Sequence, residues 1–187
     1  MIKLLFIIEL ILIYATNSIV AQNCGVDRWS IKTLSDIDTL KIDFNHLVSS
    51  TVHEQVSLLA PKIRRRRLES ETKVFIIDCN LIGFKRESGD KDIHVIVEDI
   101  NTDETMVVEI PSHQCFEIQK TSRYKLFKDL QGWFYSNVGA PKTNFVYLKK
   151  HIPVTITGVG FFDFNHGQIG MANNGREIHP VLSIKLK

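Results

Sequence analysis

From Lys73 to Lys85 the chain is a long apolar run, with Val74, Phe75, Ile76, Ile77, Leu81, Ile82 and Phe84. Its β-branched and aromatic content predicts a strand. Glu87-Ser88-Gly89-Asp90 reads as a turn. Asp92 to Ile100 then alternates, with Ile93, Val95 and Val97 on one face and Asp92 and His94 on the other. Asn101-Thr102-Asp103 turns again, and Thr105 to Ile110 forms a third strand that Pro111 ends. From Cys115 to Tyr135 the period becomes helical, through Phe116, Arg123, Leu126, Phe127, Leu130, Trp133 and Phe134. Gly139-Ala140-Pro141 stops that helix. Ile152 to Phe162 is a fourth strand, where Gly158 and Gly160 allow a bend or a close approach. A Gly/Asn-rich loop runs from Asn165 to Arg176, and His179 to Leu186 is a fifth strand.

Three strands, a helix and two more strands is the order of an OB-fold, a small, partly open Greek-key barrel. The expected fold is therefore mainly β: a five-stranded OB-fold-like barrel over residues 71–187, with the helix between strands three and four. A generic α+β sheet with a helix on one side is the rival. Residues 22–70 read as an N-terminal extension. Within it Thr51-Val52-His53-Glu54 is a capping box, predicting a short helix from Val52 to Leu59 that stops before Pro61. The basic run Arg64 to Arg67 reads as a solvated connector.

Composition changes this picture little. The 187 residues are 44% hydrophobic with net charge +2, which excludes a disordered chain and a binder driven by bulk positive charge. The N-terminus adds a compartment. Lys3 precedes an apolar stretch from Leu4 to Tyr14, too short for the roughly 20 residues of a membrane span. Small residues follow at Ser18 and Ala21, so residues 1–21 fit a secretory signal peptide. Secretion or periplasmic export is the expected localisation, with no transmembrane span in the mature chain. There are three cysteines. Cys79 shares a strand face with Phe75, Ile77 and Leu81 and reads as a core thiol. That leaves Cys24 and Cys115 as the expected disulfide.

The polar residues supply the candidate chemistry. Asp92 and His94 share a strand face, and Glu177 and His179 repeat the acid-x-His spacing. Asp163, His166 and Gln168 lie at the end of the fourth strand and just after it. In an OB-fold the loops after strands one and four flank the binding face, so these residues are expected around one cleft at the barrel mouth. His94, His166, His179, Asp92 and Glu177 suit a divalent metal, or a general base with its orienting carboxylate. No nucleophile elbow, HExxH motif or phosphate-binding loop occurs. Phe161-Phe162 reads mainly as packing, since alternation turns at least one ring inward.

The chain also resembles a family of exported bacterial proteins to which no activity is assigned. The matching stretches are Arg28 to Leu34, Phe84-Lys85-Arg86-Glu87 with Asp92-Ile93-His94, Glu109-Ile110-Pro111 with Cys115, Gly158 to Asp163 with His166-Gly167, and Glu177 to Val181. The resemblance implies export and a shared fold. The arginine and calcium-binding acids of secreted nucleases built on an OB barrel are not matched residue by residue. Two functional expectations follow. One is a secreted or periplasmic binding module for an oligosaccharide, a nucleic acid or a protein, although nothing marks nucleic acid strongly. The other is a metal-assisted hydrolase, such as a phosphodiesterase, using the acid and histidine set.

Overall fold

The computed structural model describes residues 24–25, 27–62, 67–164 and 167–187. The expected signal peptide, Arg64 to Arg66 and His166 lie outside them. The fold is mainly β, and six strands form its one sheet: β1 Leu47–Ser50, β2 Val74–Arg86, β3 Ile93–Glu98, β4 Thr105–Ile110, β5 Val146–Phe162 and β6 Arg176–Leu186. They neighbour one another in the order β1-β2-β3-β4-β6-β5, and β2 also pairs along β5. The pairing thus returns through β2 and makes a ring of strands. Pairs within the ring are antiparallel except β4 with β6, which is parallel.

Alternation sorts the side chains. Ile77, Cys79 and Leu81 of β2, Ile93, Val95 and Val97 of β3, and Met106, Val108 and Ile110 of β4 share the main hydrophobic core with Ile178 and Val181 of β6. The helix α4, Tyr124–Asn137, adds Phe127, Leu130 and Phe134 to it. The Phe134 ring meets Phe84 edge-on at 5.2 Å between centroids.

Several elements differ from expectation for local reasons. The helix expected from Cys115 to Tyr135 is two: α3, Phe116–Gln119, and α4. Between them the Thr121 hydroxyl donates to Ile118 O and accepts from Arg123 N, competing with the helical ladder. The capping box is present, with reciprocal 3.0 Å bonds between Thr51 and Glu54, but its helix ends at Val56. The extension adds strand β1 parallel to β2, and a first short helix α1 spans Trp29–Lys32. The fourth expected strand begins earlier, at Val146, because β2 pairs through Gly83 and Phe84 with Tyr147 and Val146. Residues 148–151 oppose Ile82 alone, a wide bulge between Leu81↔Ile152 and Gly83↔Tyr147. The last strand also begins earlier, because Glu177 pairs with Val107.

Cys24 and Cys115 are disulfide-bonded with Cα atoms 5.6 Å apart, and Cys79 is a free, buried thiol. Arg67 is not a solvated connector residue. It is buried and bonds Asp36 at 2.6 Å, Ile31 O and Glu71 O. No helix among the described residues is long and apolar enough to cross a membrane.

Candidate functional site

The strand registers build one row of charge. His94 of β3 stands opposite Glu109 of β4. Val107 of β4 stands opposite Glu177 of β6 in the parallel pair, so Glu109 and His179, each two residues on, share the same face. This face is opposite the hydrophobic core. The contacts follow the row. His94 Nδ1 lies 3.0 Å from Glu109 Oε1, and His179 Nδ1 lies 3.1 Å from Glu109 Oε2. His179 Nε2 faces Asp92 Oδ2 at 3.4 Å, and Glu177 Oε2 stands 3.8 Å from His179 Nδ1. Glu87, from the β2–β3 connection, reaches His94 Nδ1 at 3.5 Å and also pairs with Lys85. Asp92 Oδ1 accepts from Ser112 N at 2.7 Å, and the second ring nitrogen of His94 meets Ile169 O at 3.1 Å.

Asp92, His94, Glu109, Glu177 and His179 are all buried. Ile169 of the β5–β6 connection closes over His94, and the N-terminal segment carrying α1 packs beside the row. The Arg28 guanidinium lies 4.5 Å over the Phe161 ring, whose other neighbour is His179 at 5.5 Å. Arg28 forks onto Glu71 at 2.7 and 2.9 Å and donates to Phe162 O. Lys32 reaches Asp163 at 2.9 Å. Bidentate Arg–carboxylate geometry fixes orientation as well as distance.

Burial and like charge divide the titrating groups. Burial, aided by Asp90 and Glu109, pushes Asp92 up to about 7. Burial, aided by Glu109 and Asp163, likewise pushes Glu177 up to about 7. Burial works against His179 carrying charge, but Asp92, Glu109 and Glu177 around the ring outweigh it and hold the imidazolium well above its ordinary range. For Glu109 burial again opposes, and the His179 and His94 rings win, holding the carboxyl well below its usual value. The chemistry on offer is an alternating acid–imidazole chain from Glu87 to Asp92, with oxygen and nitrogen donors suited to a cation.

The structure thus brings together Asp92, His94, Glu177 and His179. Asp163 adjoins the cluster through its ion pair with Lys32. Gln168 is half-buried in the β5–β6 connection, and among the described residues no hydrogen bond or ion pair links it to the cluster. His166 is outside the described residues. Glu109, at the centre of the row, was missed by the reading of the sequence. Its signal was available, since an acid in the apolar strand Thr-Met-Val-Val-Glu-Ile needs a buried partner.

A second surface is open to solvent. The half-buried Phe145 and the exposed Tyr147 pack at a tilt of 56° with centroids 4.7 Å apart, beside Gly83, where a Cβ would strike the Phe145 ring. Arg86 hydrogen-bonds Tyr135 and is joined through its main chain to Lys142 O at 2.7 Å. Lys149 and Lys150 are exposed in the β5 bulge that follows Tyr147. Comparisons of this chain with protein-family models, curated proteins and solved structures give no match, so its own residues carry the functional argument.

Proposed function

We propose that the protein is an exported OB-type binding module for an anionic linear polymer, held at the aromatic and basic surface around Phe145 and Tyr147. The strand pairing β2-β3-β4-β6-β5, closing on β2 with α4 between β4 and β5, is the observation that supports the OB-type reading. The exposed Tyr147 and half-buried Phe145 offer aromatic faces, and Arg86, Lys142, Lys149 and Lys150 offer charge to phosphates or uronates. The disulfide suits an oxidising compartment outside the cytosol. The rival reading, hydrolysis at the Asp92–His179 cluster, is less supported because each of its members is buried.

Fluorescence anisotropy with a labelled oligothymidylate and with an acidic oligosaccharide tests the proposal. One of them binds, more tightly at low salt, and Tyr147→Ala weakens that binding by roughly tenfold, the value of a base–aromatic stack of about 1.4 kcal/mol. Absence of binding by both at low salt, or unchanged binding by Tyr147→Ala, overturns it.

A further inference from the structure

We propose that Asp92, Glu109 and His179 hold a divalent cation of the zinc class, with Glu177 closing on it. One donor atom from each of Asp92, Glu109 and His179 lies within 4.8 Å of the other two. A cation among them requires the three side chains to close in to the roughly 2.0–2.2 Å of zinc–nitrogen and zinc–oxygen bonds. The three come from the entry to β3, from β4 and from β6, so the ion would clamp three separate parts of the sheet.

The outer contacts already aim the donors. Asp92 Oδ1 is held by Ser112 N, which leaves Oδ2 without a hydrogen bond and turned to the His179 ring. Glu109 Oε1 is held by His94, which turns Oε2 to the same ring. Each carboxylate therefore has one oxygen fixed from outside and one directed at the His179 ring, Asp92 at Nε2 and Glu109 at Nδ1, and outer-shell partners orient metal ligands in the same way.

Glu177 supplies the independent observation. It is fully buried, and among the described residues neither of its carboxylate oxygens has a hydrogen-bond partner. Its nearest cationic atom, His179 Nδ1, is at 3.8 Å, too far for a hydrogen bond. Lys32 acts on it through space only, because its ammonium is hydrogen-bonded to Asp163. A buried carboxylate without a donor costs several kcal/mol, and a cation bound at the neighbouring Asp92, Glu109 and His179 lowers that cost.

Charge balance points the same way. Asp92, Glu109 and Glu177, when ionised, face two imidazoliums, His94 and His179, and leave one negative charge over. The Lys32–Asp163 pair is neutral by itself. A dication bound to a neutral His179 brings the group to zero. Mixed imidazole and carboxylate donors without thiolate suit zinc-class ions, and the free thiol, Cys79, belongs to the hydrophobic core. Since the cluster is buried, the ion's role is to brace the sheet, and no substrate needs to reach it.

The test is metal analysis of the intact, disulfide-bonded protein, exported from cells grown with added Zn2+ and purified without chelator. Mass spectrometry of the metal is expected to give about one equivalent per chain. Glu177→Gln, a nearly isosteric change whose folding is checked by circular dichroism, is expected to weaken retention ten- to a hundredfold, the size of effect found when a site's supporting groups are lost. His53→Gln with His151→Gln, both on the surface, should leave the metal in place. Wild-type protein carrying less than about a tenth of an equivalent overturns the proposal. So does full retention by a folded Glu177→Gln, or loss of the metal from the surface-histidine variant. The wild-type measurement decides the matter even if the Glu177 variant fails to fold.

Discussion

Replacing both Cys24 and Cys115 with Ala tests how the N-terminal segment is held. The bridge closes a loop of 91 residues in sequence separation. On the chain-entropy view, opening such a loop releases about 4.6 kcal/mol of unfolded-state entropy at 25 °C. Both cysteines are buried, so the lost packing adds to this. The full loss appears only if the segment and the sheet unfold together. Arg28 on Glu71, Lys32 on Asp163 and Arg67 on Asp36 argue that they do, because each is an ion pair with at least one buried partner. For a domain of this size 1 kcal/mol at the midpoint is worth about 2–4 °C, so the melting temperature should fall by about 9–18 °C. The assay is thermal unfolding by circular dichroism, with hydrogen exchange over residues 27–36. The reasoning fails if the midpoint drops by less than about 3 °C. It also fails if the segment's amides exchange freely while the rest keeps its stability, since the tether would then hold only a detachable arm. A thiol titration giving three free thiols in the native protein would remove the premise.

Other substitutions probe neighbouring parts. Glu71→Ala removes the acceptor of Arg28, Leu68 N and Phe162 N at once and should cost about 3–5 kcal/mol in urea unfolding, the range for breaking a buried ion pair. Gly160→Ala places a methyl group against the buried Arg176 guanidinium and should cost about 1–3 kcal/mol, the overpacking range. Stability in chelator should fall as pH rises. Asp92 and Glu177, raised to about 7 by burial, bind protons more tightly folded than unfolded, so their contribution is present in mild acid and lost as pH rises through 7. His179, raised well above 6.5, extends the loss upward, whereas depressed Glu109 makes stability fall only below about 4.5. A drop of more than about 1.4 kcal/mol between pH 5.5 and 8 is expected, the value of one pKa unit, and a rise over that window contradicts the assignment.

Strands β2, β3 and β4 were legible because β-branched runs between turn residues are a short-range signal. The pairing of Cys24 with Cys115 was legible by elimination, once Cys79 was placed in an apolar strand. Strand β1 was not, because Leu47-Val48-Ser49-Ser50 is short and half polar, and only the edge of β2 makes it a strand. The start of β6 was hidden by Arg176 and Glu177, whose burial is decided by Gln55 and by the cluster far away in sequence. The acid-x-His spacings marked the right residues. They carried no information about the cover, since the pairings Arg28–Glu71 and Lys32–Asp163 span 43 and 131 residues. The burial of the row was illegible for that reason.

The cover and the charged row depend on each other. A sheet face that carries Asp92, His94, Glu109, Glu177 and His179 would ordinarily be left to water. Here the β5–β6 connection and the N-terminal segment close it, and burial then requires internal partners for every charge. The segment brings some of them, Lys32 for Asp163 and Arg28 for Glu71. Its own helix has only four residues and no side-chain cap, too little to be stable alone. The disulfide at one end and the ion pairs along it hold the segment down, and the segment helps keep water from the row. A change that lifts the segment would therefore do more than expose a surface. It would solvate Asp92 and Glu177, return their carboxyls toward ordinary values and dissolve the alternating acid–imidazole order. The N-terminal region is in this sense part of the site, and ligand-binding measurements on a chain cut at residue 71 would describe a different molecule.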